Sequence, residues 1–216
     1  MVLSFFSREV FRTSSPYNKD IRVLRHGSQL ELQVNGIQQT GAYDTKVFDK
    51  AFTDFSIDTY PVTSALLLGV GGGYVIKKLK HCFPQSQITA VDIDMYMISI
   101  AHTYFGLSSI SDVHYEVMDA REYIVQAITK NQQFDLIVVD LYIGDDVPEF
   151  LESTDFLQKI YSVLSPKGHA LINYQHQTSY DARREVFERN LQKIFAKVEH
   201  AIVFPKRNIG YFVSSS

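Results

Sequence analysis

The spacing of apolar residues changes after residue 60. Before it, Ile21 and Val23, then Leu30, Leu32 and Val34, alternate with polar residues. This is the pattern of short strands with one buried face. Asn35-Gly36 is a hairpin turn signal, so residues 21–40 predict two or three strands behind an irregular lead-in over 1–20. Val47, Phe48, Ala51 and Phe55 share one face of a helix predicted to follow Asp44.

From Ser64 to Val70 the run is continuously apolar, as in a strand covered on both faces. Strands are also predicted at Ile88–Asp92, Val113–Val117, Phe134–Val139 and Ala170–Asn173. The segments between carry helical spacing: Val75, Ile76 and Leu79; Met97, Ile98, Ala101 and Phe105; Tyr123, Ala127 and Ile128; and Phe156, Ile160 and Leu164, stopped by Ser165-Pro166-Lys167-Gly168. A long helix with Val186, Leu191 and Ile194 precedes a closing hairpin, Val198–Phe204 with Ile209–Val213. Alternating strands and helices predict an α/β fold, a Rossmann-like, doubly wound, mostly parallel sheet with an antiparallel C-terminal strand. The organisation expected is a short N-terminal β region plus linking helix over 1–60, then a Rossmann-like catalytic domain over 61–216.

Composition narrows the function more than the fold. The 216 residues, 45% hydrophobic, suffice for one well-buried core. A net charge of −3 gives no field favouring nucleic acid or an anionic membrane. The local run Lys77, Lys78, Lys80, His81 reads as a solvated helix face. Cys82 is the sole cysteine and ends an apolar series, which suggests packing and fits a reducing cytoplasm. The histidines are scattered, with His102 and His169 read as packing residues, and no zinc spacing appears. The apolar start Met1–Phe6 is too short for a signal peptide, and no run reaches transmembrane length.

Ligands on open α/β sheets sit at the carboxyl ends of the strands. Those positions read Gly69-Val70-Gly71-Gly72-Gly73-Tyr74, Asp92-Ile93-Asp94, Met118-Asp119-Ala120-Arg121 and Asp140-Leu141-Tyr142-Ile143-Gly144-Asp145-Asp146. Four consecutive strands thus deliver glycine or a carboxylate to one edge. The glycines suit either close approach of a ligand or a tight turn. Tyr74 stands where a dinucleotide fingerprint needs its third glycine, which argues against a pyrophosphate site and an NAD-type dehydrogenase. Asp92 can accept from both hydroxyls of a ribose, Asp94 suits a helix cap, and Asp119 suits either an adenine contact or a cap. Asp140 is delivered by an apolar strand that has no folding need for a carboxylate, so it is the expected catalytic residue.

Nearly the whole chain, from Ser15-Pro16-Tyr17 to Gly210-Tyr211-Phe212-Val213, resembles the spermidine synthase family of polyamine aminopropyltransferases. Asn18–Val23 and Val34–Gln39 resemble that family's N-terminal β region. The resemblance implies a methyltransferase-type core, decarboxylated S-adenosylmethionine as co-substrate, an amine acceptor such as putrescine, no metal, and a cytoplasmic homodimer. It assigns Gln39, Gly69, Gly71, Gly73, Asp92, Asp119 and Ala120 to the nucleoside, Asp140 to the amine proton, and Phe48, Tyr142 and Gln175 to the acceptor side.

Three positions that are acidic in the family are neutral here. They are Gly72 in the glycine loop, Ile143 after Asp140, and Gln175. Loss of the loop aspartate at Gly72 suggests room for an intact methionine carboxylate. Replacement charges are sought in Asp49, Asp145, Asp146 or Glu149, and Tyr142 and Tyr174 are expected to line the site. A methyltransferase using intact S-adenosylmethionine and a non-catalytic nucleoside-binding module are the alternatives.

Overall fold

The computed structural model describes residues 7–40, 42–144, 146–175, 178–203 and 208–215, without the side chains of 42–44 and 178. Of the residues singled out above, Met1–Phe6, Asp145 and Phe204 lie outside these.

Seven strands form the main sheet, in the order β10-β11-β9-β8-β5-β6-β7. Five run parallel: β5 (Ser64–Leu68), β6 (Gln87–Asp92), β7 (Val113–Val117), β8 (Phe134–Val139) and β9 (Leu164–Gln175). The hairpin of β10 (Lys197–Val203) and β11 (Asn208–Ser214) joins β9 through β11, antiparallel. Helices α2 (Tyr74–Cys82), α3 (Met95–Tyr104), α4 (Ala120–Thr129), α5 (Thr154–Ser162) and α6 (Asp181–Ile194) connect the strands. Two apolar clusters cover the sheet: Leu66, Leu68, Ile137 and Val139 join one, and Ala65, Leu67, Leu136 and Val138 the other. That is why these strands read as unbroken apolar runs. The doubly wound, mostly parallel sheet expected from the sequence is the one observed.

The N-terminal region is a four-stranded antiparallel sheet, β1 (Arg8–Thr13), β2 (Ile21–His26), β3 (Gln29–Val34) and β4 (Ile37–Thr40). Its inward residues Ile21, Val23, Leu32 and Val34 pack on Met97, Ile100 and Phe105 from α3 and its end. Strand β1 overturns the expectation of an irregular lead-in. Its sequence Arg-Glu-Val-Phe-Arg-Thr shows little alternation because it is an outer strand with no fully buried side chain. Helix α1 (Ala42–Asp54) begins before Asp44 rather than after it, and Phe55 lies just beyond its end.

Two further boundaries move. Strand β5 stops at Leu68, so Gly69 and Val70 already belong to the turn. Leu164 and the Ser165–Gly168 segment are part of β9, not a helix end and stop. The register jumps there, with Phe134 opposite Leu164 and Leu136 opposite His169, so the Pro166-bearing segment bulges out of the ladder. The basic run on α2 is not simply solvated. Lys78 pairs with Asp49 at 2.6 Å, and Lys80 donates to the carbonyls of Pro84 and Ser86. Cys82 packs against an apolar cluster as expected, His169 stacks on Phe212, and His102 meets Tyr115 edge-on. Among the described residues no helix is long and apolar enough to cross a membrane.

Candidate nucleoside and acceptor site

A cavity of about 270 Å³ opens at the carboxyl ends of β5, β6, β7 and β8, closed on one side by residues of β3, β4 and α1. Gln39, Phe48, Gly69, Gly71, Asp92, Asp119, Ala120, Asp140 and Tyr142 all line it. The parallel sheet therefore brings together residues separated by more than a hundred positions. Gly73 and Gln175 are not among the lining residues. Gly73 starts α2 with Leu107 packed on it, so an added Cβ would lie 2.5 Å from that side chain. Gln175 is buried in β9 opposite Asn208. Tyr174 does not line the cavity either; it is fully buried, stacks on Phe187 and donates its hydroxyl to Glu152.

The glycine loop divides into different roles. Gly69 (φ 92°) lies against the backbone of Asp140, where a Cβ would fall 2.1 Å from the carbonyl oxygen. Its smallness lets the ends of β5 and β8 meet, with the Asp140 N–H on the Leu68 carbonyl at 2.8 Å. Gly71 (φ 51°) has nothing within 3.9 Å of its Cβ position and opens on the cavity, so here a ligand can approach the backbone. At Gly72 a Cβ would lie 2.3–2.6 Å from the Thr40 side chain. Thr40 thus takes the ground immediately beside Gly72, while Gly72 itself still lines the cavity.

The carboxylates differ in what holds them. Asp92 accepts from the N–H of Val70 on one oxygen and of Asp94 on the other, each at 2.9 Å. Each oxygen keeps lone-pair capacity for a hydroxyl, which suits a vicinal diol. Burial pushes its pKa up to about 6 despite these backbone donors. Asp94 caps α3 through the Tyr96 N–H and also receives Ser15 and Asn18. This tie from the lead-in to the cavity floor was not legible in the sequence. Asp119 caps α4 through the Arg121 N–H and is gripped by the Arg121 guanidinium at 2.6 and 3.0 Å, which holds its pKa below the ordinary value. The side chain of Arg121 also lies over the ring of Phe150.

Asp140 has no such cation. The side-chain amide of Asn173 donates to its Oδ1 at 2.9 Å, and its Oδ2 meets no donor among the described residues. Burial foremost, with the charge of Asp92 adding to it, pushes its pKa up to about 6. Behind it, Asn208 donates to Asn173 Oδ1 at 2.9 Å and to the Tyr142 hydroxyl at 3.1 Å. The resulting chain from Tyr142 through Asn208 and Asn173 to Asp140 joins three separate segments. Sequence reasoning gave neither asparagine a role; the signal was a buried polar residue just after the apolar run Ala170–Ile172 and another opening the last strand.

The proposed substitute charges lie elsewhere. Asp49 is closed by Lys78 and the Tyr74 hydroxyl, Asp146 accepts from Tyr180, and Glu149 is exposed. None of the three lines the cavity.

Residues 65–168 match the family model described as a methyltransferase domain. The polyamine aminopropyltransferase of Vibrio vulnificus is 32% identical over 121 residues, covering 53% of this chain and 40% of that protein. The eEF1A lysine and N-terminal methyltransferase homolog of Drosophila melanogaster is 31% identical over 140 residues, covering 62% of this chain and 20% of that protein. The chain thus spans well under half the length of these relatives. Among solved structures, the spermidine synthase of Thermotoga maritima superposes with a TM-score of 0.78 at 19% identity, covering 97% of this chain and 73% of that one. Human methyltransferase-like protein 13 in complex with SAH superposes at 0.67 with 22% identity, covering 77% of this chain and 81% of that one. Both superpositions establish a shared fold.

Proposed function

We propose, from the premise that this chain is a divergent spermidine-synthase-like relative with a methyltransferase-like core, that it transfers an aminopropyl group from decarboxylated S-adenosylmethionine to an amine. The observation that carries the reading is Asp140, a carboxylate at the cavity wall with one oxygen held by Asn173, the other open, and no cation beside it. The co-substrate supplies an electrophilic carbon on a sulfonium sulfur, a good leaving group.

The residues present fit such a nucleoside. Asp92 offers paired acceptors to the ribose, Gly71 offers bare backbone, and Met118, Ala120 and Ile93 form an apolar slot beside Asp119. Gln39 closes it from β4.

An acceptor amine with a pKa of about 10 is mostly protonated at neutral pH, and freeing it costs roughly 4 kcal/mol at about three pH units. Asp140 orients the amine and takes its proton on Oδ2. A carboxylate pushed up to about 6 is a better base than an exposed one while still ionised at neutral pH. The amide of Asn173 fixes its rotamer. With a good leaving group on the donor, positioning contributes much of the remaining acceleration.

A second reading, methyl transfer from intact S-adenosylmethionine, is favoured by one observation: Gly72 lines the cavity in place of a loop acid, so no carboxylate stands there to repel that of the methionine. The test is product identity by mass after incubation with decarboxylated or intact S-adenosylmethionine and an amine panel. Methylthioadenosine with an aminopropylated amine is the expected result. S-adenosylhomocysteine alone would replace the first reading with the second, and binding without turnover would reject both in favour of a nucleoside-binding module.

A further inference from the structure

The carboxylates around the cavity can be sorted by what they have left to offer. Asp94 is committed to Ser15, Asn18 and the start of α3, and Asp119 to Arg121. Asp92 faces the glycine loop, with backbone N–H groups on both oxygens. Only Asp140 presents an oxygen with no donor on it among these four. The titratable groups sharing the cavity with it are Asp92 from β6, Tyr142 from its own loop, Tyr74 from α2 with its hydroxyl on Asp49, Tyr17 from the lead-in, and Asp94, Asp119 and Arg121.

The wall beyond Asp140 is apolar. Leu141, Tyr142, Ile143, Pro148 and Phe150 follow it, and Phe48 contributes from α1. Ile143 is 69% exposed at this wall, a position where an apolar side chain gains little from the fold itself.

A diamine such as putrescine brings two ammonium groups at neutral pH. One can be neutralised by giving its proton to Asp140. The other would lie along this wall, whose residues Leu141, Tyr142, Ile143, Pro148, Phe150 and Phe48 carry no carboxylate, while Asp92, Asp94 and Asp119 of the same cavity already hold backbone, side-chain or arginine donors, and enclosing an unpaired charge is costly. We propose that the acceptor is a single primary amine on an uncharged apolar stem, not a free diamine. This rests on the amine-acceptor reading above. In the step, the amine nitrogen forms a bond to the carbon next to the sulfonium. The carbon–sulfur bond breaks with its electron pair passing to sulfur, which leaves as a neutral thioether; Oδ2 of Asp140 holds the one proton that the ammonium gave up to become nucleophilic, and the product is the secondary ammonium. A free alkylamine and a lysine side chain share this chemistry.

The test pairs acceptors that differ only in the second charge. The full chain, saturated with methylthioadenosine, is titrated calorimetrically with n-butylamine, putrescine and Nα-acetyl-lysine amide, and the same amines are offered for turnover. A single-amine acceptor should bind and turn over at least about tenfold better than putrescine. Preference between n-butylamine and the lysine derivative then identifies the free or side-chain source. Putrescine equal or better, or no amine bound at all, would overturn the proposal. If the binding order holds but no product forms with any donor, the acceptor class stands and the transfer reading fails. As a second arm, Ile143→Asp, on an exposed position, should shift the preference toward putrescine by roughly fivefold; an unmoved ratio would count against the apolar wall as its cause.

Discussion

The two sides of the cavity hold their carboxylates by different means. On the β6–β7 side, Asp92, Asp94 and Asp119 are each met by backbone N–H groups at a turn or helix start, and Asp119 by Arg121 as well. On the β8–β9 side, Asp140 has one side-chain amide, an apolar surround and no cation. The first arrangement stabilises charge through fixed dipoles and suits recognition of hydroxyls. The second leaves a charge underpaired and suits the uptake of a proton. The difference teaches that a carboxylate at a strand end is not by itself a functional signal; what its oxygens already hold decides its use.

The strongest way to break the comparison is Asp140→Asn. Turnover should fall by about 10²–10⁴-fold, the usual contribution of a positioned base. The same variant should be more stable than the native chain at pH 8. A folded-state pKa near 6, above the ordinary 3.8, means the fold retains a proton that the unfolded chain has released between about pH 4 and 6. Stability is therefore lost as pH rises through that window, and the cost is complete above it. Removing the charge should recover about 1–3 kcal/mol at pH 8 and lessen the slope between pH 4 and 6, where Asp92 still contributes, as read by chemical denaturation. An active or less stable variant would show that Asp140 is not the strained base.

A smaller effect is expected at Gly72→Ala, where the new methyl meets Thr40. A loss of about 1–3 kcal/mol is predicted, mostly restored by a second change, Thr40→Gly. If Gly72→Ala is neutral alone, the loop has room that the geometry denies.

The finest adjustment is Asn173→Ala. It removes the donor that favours ionised Asp140, so the pKa of Asp140 should rise further, by about one unit. The acid limb of the turnover–pH profile should move up by the same amount, with melting temperature monitored separately. A fall in activity at every pH with the limb unmoved would reduce Asn173 to a packing role.

Much of this was legible in the sequence because buried parallel strands announce themselves. Leu136–Val139 is apolar on both faces, so Asp140 at its end stood out as a residue with no packing reason to be there. Strand β1 was not legible, because an outer strand needs neither burial nor alternation. Leu164–Gly168 was misread because a proline in a bulge looks like a helix stop. Most of the residues named from the sequence line the cavity, yet their differing surroundings were not legible. That Gly69 serves Asp140 while Gly71 faces the cavity depends on which backbone comes near, and that Asn208 supports Asn173 depends on a cross-strand neighbour 35 residues away.

The central claim is that one wall binds the nucleoside and the other accepts the proton. It is tested most directly by calorimetric titration of methylthioadenosine into Asp92→Asn and Asp140→Asn side by side. The account predicts at least about tenfold weaker binding for Asp92→Asn, which loses charged acceptors for two hydroxyls, and a change within about twofold for Asp140→Asn. Equal losses in both variants, or a loss confined to Asp140→Asn, would contradict it.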